Sequence, residues 1–87
     1  MKLVIIVPVY NEGLRAVTTI KEILTISRSE IVIVDDGSKD DSWNCLNKNF
    51  GKNRRVYLLS HVINLGKGAA MKTGVKMAWK LKSDGVI

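Results

Sequence analysis

Three short stretches of the chain hold side chains that could do chemistry. In Val7-Pro8-Val9-Tyr10-Asn11-Glu12 an apolar run gives out into an aromatic ring and a carboxylate. The ring offers a face on which a base can stack, and the acid an acceptor. The same residues also read as an ordinary strand exit: Pro8 ends the run, Tyr10 packs on the rim, and Glu12 sits in the first turn of a helix, where the dipole favours negative charge. In Asp35-Asp36-Gly37-Ser38 adjacent carboxylates close a second apolar run. Neighbouring side chains of a strand point to opposite faces, so only one of the pair can face a crevice, and Asp36 is the better candidate. It would accept hydrogen bonds from a ring N–H or from ribose hydroxyls; alternatively these residues simply make a turn and cap a helix. In Asn64-Leu65-Gly66-Lys67-Gly68-Ala69-Ala70 a glycine-bearing loop opens a helix, and Lys67 with exposed amides suits a diphosphate.

Several familiar sites are excluded. The Lys72-Thr73 pair follows Met71 where a phosphate-binding Walker loop demands glycine. Gly66 and Gly68 follow a strand and Asp84 lies about the right distance on for a dinucleotide fingerprint, but Met71 fills its third glycine position. An NAD(P)-binding redox domain stays open as an alternative, as does a non-catalytic receiver-like or purely structural α/β module. The acidic pair is similar to that of a receiver module, which normally ends the first strand and not the second, and an EF-hand lacks its Gly and its closing Glu. His61 reads as a strand-end residue, Cys45 as structural, and Trp43 and Trp79 as core or interface anchors.

The elements that must position these loops follow from apolar periodicity. Leu3-Val4-Ile5-Ile6-Val7 and Ile31-Val32-Ile33-Val34 are continuous β-branched runs, the pattern of strands buried on both faces of a parallel sheet. Leu14, Val17, Ile20, Ile23 and Leu24 share one face of a helix starting near Gly13. Ser38 reads as the N-cap of a second helix, with Asp41 at N3 and Trp43, Leu46 and Phe50 as its apolar stripe. Val56-Tyr57-Leu58-Leu59 is a third strand near an edge. Ala70, Gly74, Met77, Ala78 and Leu81 then form a helical face; Gly74 weakens that helix by about 1 kcal/mol relative to Ala, a loss that close approach to the sheet can offset. Asp84-Gly85 turns into a fourth strand at Val86-Ile87. The order predicts an α/β fold, a Rossmann-like three-layer α/β/α half-domain with a parallel sheet, truncated at the fourth strand. Ligands of such sheets bind at the carboxyl ends of the strands, where the acidic stretches fall.

The 87 residues make at most one domain, and 46% hydrophobic content is enough for a core. Fourteen Lys and Arg against eight Asp and Glu give a net charge of +6, which favours anionic partners. One cysteine and one histidine exclude an internal disulfide and a Cys/His zinc site. The first apolar run meets Asn11 and Glu12 too soon for a signal peptide or a membrane span, so the expected location is cytoplasmic. A strand that starts at the last residues leaves its neighbour's backbone groups unpaired, so the chain reads as the amino-terminal piece of a longer protein and is expected to self-associate through an exposed strand edge.

Taken together, Ile6 to Glu12, Val34 to Ser42 and Asn64 to Ala70 resemble the family 2 glycosyltransferases of the GT-A fold, and within them the polyprenyl-phosphate and dolichyl-phosphate sugar transferases. The resemblance covers essentially the whole chain, residues 1–87 being the nucleotide-sugar-binding portion of an incomplete domain. It implies that Pro8, Tyr10 and Glu12 contact the nucleoside, that Asp36 bonds the base, and that Lys67 and Gly68 lie near the diphosphate. It implies an inverting transfer from a UDP- or GDP-sugar to an acceptor, a lipid phosphate above all, beside the membrane; nucleic acid is not an expected partner. The Mg2+ or Mn2+ of the family is held by an Asp-x-Asp motif expected beyond Ile87, so no catalytic residue or metal ligand is expected within the chain, and the 87 residues alone are expected to be inactive.

Overall fold

The computed structural model describes residues 3–81 and the backbone of 85–86. Its elements alternate: β1 (Leu3–Val9), α1 (Gly13–Ile26), β2 (Glu30–Asp35), α2 (Ser42–Phe50), β3 (Val56–Ser60), α3 (Lys67–Lys80) and β4 (Gly85–Val86). The strands form one sheet in the order β3-β2-β1-β4, with every pairing parallel. The expected α/β/α half-domain is what forms, and β3 lies at an edge of the described sheet. Asp84 and Ile87 of the expected turn and fourth strand lie outside the described residues.

The sheet's central strands carry the core. Ile31, Val32, Ile33 and Val34 are all fully buried, as an uninterrupted β-branched run between two helical layers requires. Alternate residues serve opposite layers. Ile31 and Ile33 pack with Val17, Ile20, Leu46 and Phe50 from α1 and α2, whereas Val32 and Val34 join Val4, Ile6, Ala70 and Ala78 beneath α3. Pro8 sits one residue inside β1, paired with Val34. The Asp36 N–H bonds the Val9 carbonyl, so residue 9 faces β2 and residue 8 faces the other side, where the described residues of β4 pair with Leu3 and Val4.

Two expectations are corrected and one is narrowed. Leu14 is 78% exposed. The buried stripe of α1 runs through Gly13, Ala16, Val17 and Ile20, and a residue next to Gly13 falls about 100° off it. Helix α2 begins at Ser42, with Asp41 in the N-cap position, so Ser38 is not its cap; Asp40 Oδ1 instead accepts the Ser42 N–H at 2.9 Å. Trp79 is 72% exposed, which removes the core from its two expected roles and leaves that of an interface anchor.

Chain order reverses between β1 and β4: the path steps from β1 to β3 in one direction, then returns to the far side of β1. Such a switch opens a crevice at the carboxyl ends of the strands. Residues 10–12, 36–38 and 61–68 all leave the sheet at that end.

Candidate nucleotide-binding site

The loop after β1 turns sharply. Asn11 has a φ of 53°, in the left-handed region that Asn tolerates better than most residues. The turn is tied to the loop after β2 by a reciprocal pair: the Asn11 N–H donates to Ser38 Oγ, and the Lys39 N–H donates to Asn11 Oδ1, each at 2.9 Å. Ser38 is anchored in turn by Asp35, whose Oδ1 accepts from both its N–H and its hydroxyl. A short polar side chain that can bond its own loop abandons the helix cap for the turn, which is why Ser38 does not cap α2. One turn further, the Gly13 N–H donates to Ser42 Oγ at 2.9 Å. The amino ends of α1 and α2 approach so closely there that a Cβ on Gly13 would lie 2.6 Å from Ser42 Cα.

Asp36 points to the other face, toward α3, and is the hub of the third loop. Its Oδ1 accepts from His61 Nδ1 at 2.7 Å and the Leu65 N–H at 3.0 Å; its Oδ2 accepts from Asn64 Nδ2 at 3.0 Å and the Gly66 N–H at 2.8 Å. The His61 bond, followed by that from the Leu65 N–H, holds its carboxyl below the usual carboxylate range, with burial opposing. The loop lies directly on the strand end, for a Cβ on Gly37, whose φ is +70°, would fall 2.3 Å from the carbonyl carbon of Ile63. An ionised carboxylate has about four acceptor directions. All are used by the chain itself and Asp36 is 3% exposed. The geometry therefore makes Asp36 the anchor of residues 61–66, and a base N–H would have to displace one of its present donors.

The other expected residues sit as follows. Tyr10 is 40% exposed at the switch point. By strand alternation Pro8 is on the α3 side. Glu12 stands at the start of α1 without a capping bond, 3.9 Å from Arg15, and borders an open groove of about 800 Å³ shared with Asp40, Asp41 and Ser42. Lys67 and Gly68 open α3 and are exposed. No side chain caps that helix, and a Cβ on Gly66 or Gly68 would meet nothing within 4 Å, so the space before its first turn is open. The structure thus links all three loops: Asn11, Ser38 and Asp35 tie the first to the second, and Asp36 ties the second to the third. Glu12 faces the α1/α2 side, apart from Pro8 and Asp36. Among the described residues no three His, Cys, Asp or Glu side chains converge as a cation site requires.

Sequence reasoning missed His61 and Asn11. A lone His one residue beyond β3, at the same sheet end as an aspartate, was a usable signal for the first. The second showed only as an Asn between an aromatic residue and a helix start.

The family model for glycosyl transferase family 2 matches residues 4–79. A dolichyl-phosphate beta-glucosyltransferase of Trichomonas vaginalis is 35% identical over 80% of this chain and 25% of its own length. A UDP-N-acetylglucosamine–dolichyl-phosphate N-acetylglucosaminyltransferase of Methanococcus voltae is 31% identical over 92% of this chain and 37% of its own. The chain thus spans little more than a third, or less, of these relatives. In fold it is similar to a mannosyltransferase from Pyrobaculum calidifontis solved with GDP-Man and Mn2+, with a TM-score of 0.74 over 88% of this chain and 24% of that one at 21% identity. With the family model matching nearly its whole length, the chain belongs to glycosyl transferase family 2.

Proposed function

We propose that these residues form the nucleotide-binding half of an inverting glycosyltransferase that takes a sugar from a UDP- or GDP-sugar and gives it to a polyprenyl phosphate on the cytoplasmic side of a membrane. The observation that carries this reading is the joining of three loops at the switch point, an aromatic ring on one and a lysine at an uncapped helix start on another. Tyr10 stacks on the base, with Pro8 and Glu12 against the nucleoside. Lys67, Gly68 and the first N–H groups of α3 take the diphosphate. Asp36 holds the loop that brings them there. In the transfer an acceptor oxygen bonds the anomeric carbon as the bond from that carbon to the diphosphate oxygen breaks, and the nucleoside diphosphate leaves. A divalent cation would supply neutralising charge to that leaving group; the described residues bring no three acidic or imidazole side chains together to hold one, and on this reading the 87 residues bind donor without turning it over.

NMR titration with UDP, GDP and NAD tests the reading. Shifts centred on Tyr10 and Lys67 with UDP or GDP support it, and a Tyr10→Ala variant should bind more weakly by about 1 kcal/mol. Shifts confined to residues 66–70 with NAD would instead favour a redox domain, and no shift with any nucleotide would overturn both. Light scattering on the same sample checks the expected self-association through a strand edge, which a clean monomer at high concentration would refute.

A further inference from the structure

His61 does more than end a strand. Its side chain is 12% exposed and bridges two elements: Nδ1 meets Asp36 Oδ1 at 2.7 Å at the end of β2, and Nε2 meets Thr73 Oγ1 at 2.7 Å in the second turn of α3. Thr73 Oγ1 also lies 3.1 Å from the Ala69 carbonyl, within the first turn, so its one hydroxyl proton is shared between that carbonyl and Nε2. Asp36, ionised and acceptor-only, fixes the proton on Nδ1. The same carboxylate holds the Leu65 and Gly66 N–H groups, and the Gly66 carbonyl accepts the first helical bond of α3, from Ala70. The amino end of α3 is therefore gripped at two places by one buried unit: before the helix by Asp36, and a turn inside it by His61 through Thr73.

We propose that His61 and Thr73 are positioning residues for the donor's diphosphate: through them the end of β2 sets where Lys67 and the free first-turn N–H groups of α3 stand. The inference rests on the function proposed above and adds to it a residue pair that need not touch the ligand. Small residues let α3 lie close on the sheet at Ala70, Gly74 and Ala78, but apolar contact has no preferred direction along the helix axis. A directional tie at its amino end supplies the missing constraint, and a diphosphate bound by several donors at once is sensitive to their spacing.

The test compares Thr73→Val, which removes the hydroxyl at nearly constant shape, with Thr73→Ser, which keeps it. Calorimetric titration measures each with a nucleoside (uridine or guanosine) and its diphosphate. Thr73→Val should weaken the diphosphate about tenfold, the scale of one lost hydrogen bond, and leave the nucleoside unchanged; Thr73→Ser should restore it. Equal weakening of both ligands, or of neither, overturns the proposal, because a merely structural role would not separate them. Amide exchange in the unliganded protein keeps the two readings apart. If the wild-type chain binds no nucleotide the function fails, and with it the diphosphate role; faster exchange at Leu65 and Gly66 in Thr73→Val would then show the tie alone. Unchanged exchange there would remove the tie as well.

Discussion

On one face of the sheet the filling is bulky: Ile20, Leu46 and Phe50 of α1 and α2 stand against Ile31 and Ile33. On the other, α3 offers Ala70, Gly74 and Ala78 to Val4, Ile6, Val32 and Val34. Large interdigitating side chains hold helices at an ordinary distance and supply most of the apolar burial. Small ones bring a helix backbone onto the strands, where position is governed by direct contact and polar ties. The consecutive carboxylates at the end of β2 repeat the division. Asp35 secures Ser38 and through it the loop after β1, and Asp36 secures the loop before α3. One face supplies stability and borders Glu12, which the proposed function sets against the nucleoside; the other supplies placement and carries the lysine.

The largest effect that would sharpen this contrast is on the bulky face. Leu46 is fully buried, so Leu46→Ala should lower the unfolding free energy by about 2–5 kcal/mol through lost transfer energy and the cavity left behind. Urea denaturation measures it. On the close-packed face the error runs the other way. A Cβ at Gly74 would lie 2.4 Å from Ile6 Cγ2, so Gly74→Ala gains about 1 kcal/mol of helix propensity but loses about 1–3 kcal/mol to overpacking, a net destabilisation. In an Ile6→Ala background the overpacking should vanish and the same change become neutral or favourable. If Gly74→Ala stabilises the wild-type chain, the close approach of α3 is not what fixes it.

Much of this was legible in the sequence, and the residues show why the rest was not. β2 is buried on both faces, and β1 is buried on its α3 face with Ile5 and Val7 partly covered on the other, so apolar runs rich in β-branched residues identify them without any need for phase. The stripe of α1 does need phase: Leu14 is apolar yet sits one position away from Gly13, whose contact with Ser42 decides which way the helix faces. The start of α2 was misplaced because Asp40, Asp41 and Ser38 are all good caps, and only the loop's ties to Asn11 choose among them. Asp36 was rightly set on a face apart from Asp35, but two of its partners are backbone N–H groups, which have no residue type to read. The exposed ring of Tyr10 and the uncapped start of α3 needed no such information, since strand ends and glycines mark them directly.

Acid should separate the two carboxylate ties. Asp36 has its carboxyl depressed below 3.8, first by the His61 bond. Asp40, on the α1/α2 side, is depressed below the same value, first by its bond from the Ser42 side chain. A depressed folded value means that the contribution to stability is whole above the unfolded value and is lost as pH falls through the folded one. Urea midpoints should therefore hold steady down to about pH 4 and fall below it. Asp36→Asn should remove more of that fall than Asp40→Asn, because Asp36 is nearly fully buried and Asp40 is exposed. Equal effects would mean that the loop before α3 is no better ordered than a surface turn.

The smallest effect on stability is expected at Glu12, and there the comparison turns on binding. Its contact with Arg15 is 3.9 Å long between side chains 62% and 85% exposed. Such pairs contribute little, so Glu12→Gln should change the unfolding free energy by no more than about 0.5 kcal/mol. If the α1 side carries the nucleoside, the same variant should weaken nucleoside and nucleoside diphosphate by the same factor, about tenfold for one charged hydrogen bond. That is the opposite signature to the one expected of Thr73→Val on the α3 side. A Glu12→Gln variant that loses diphosphate alone would break the division between the two faces, because the acid would then be acting on the part of the donor assigned to Lys67.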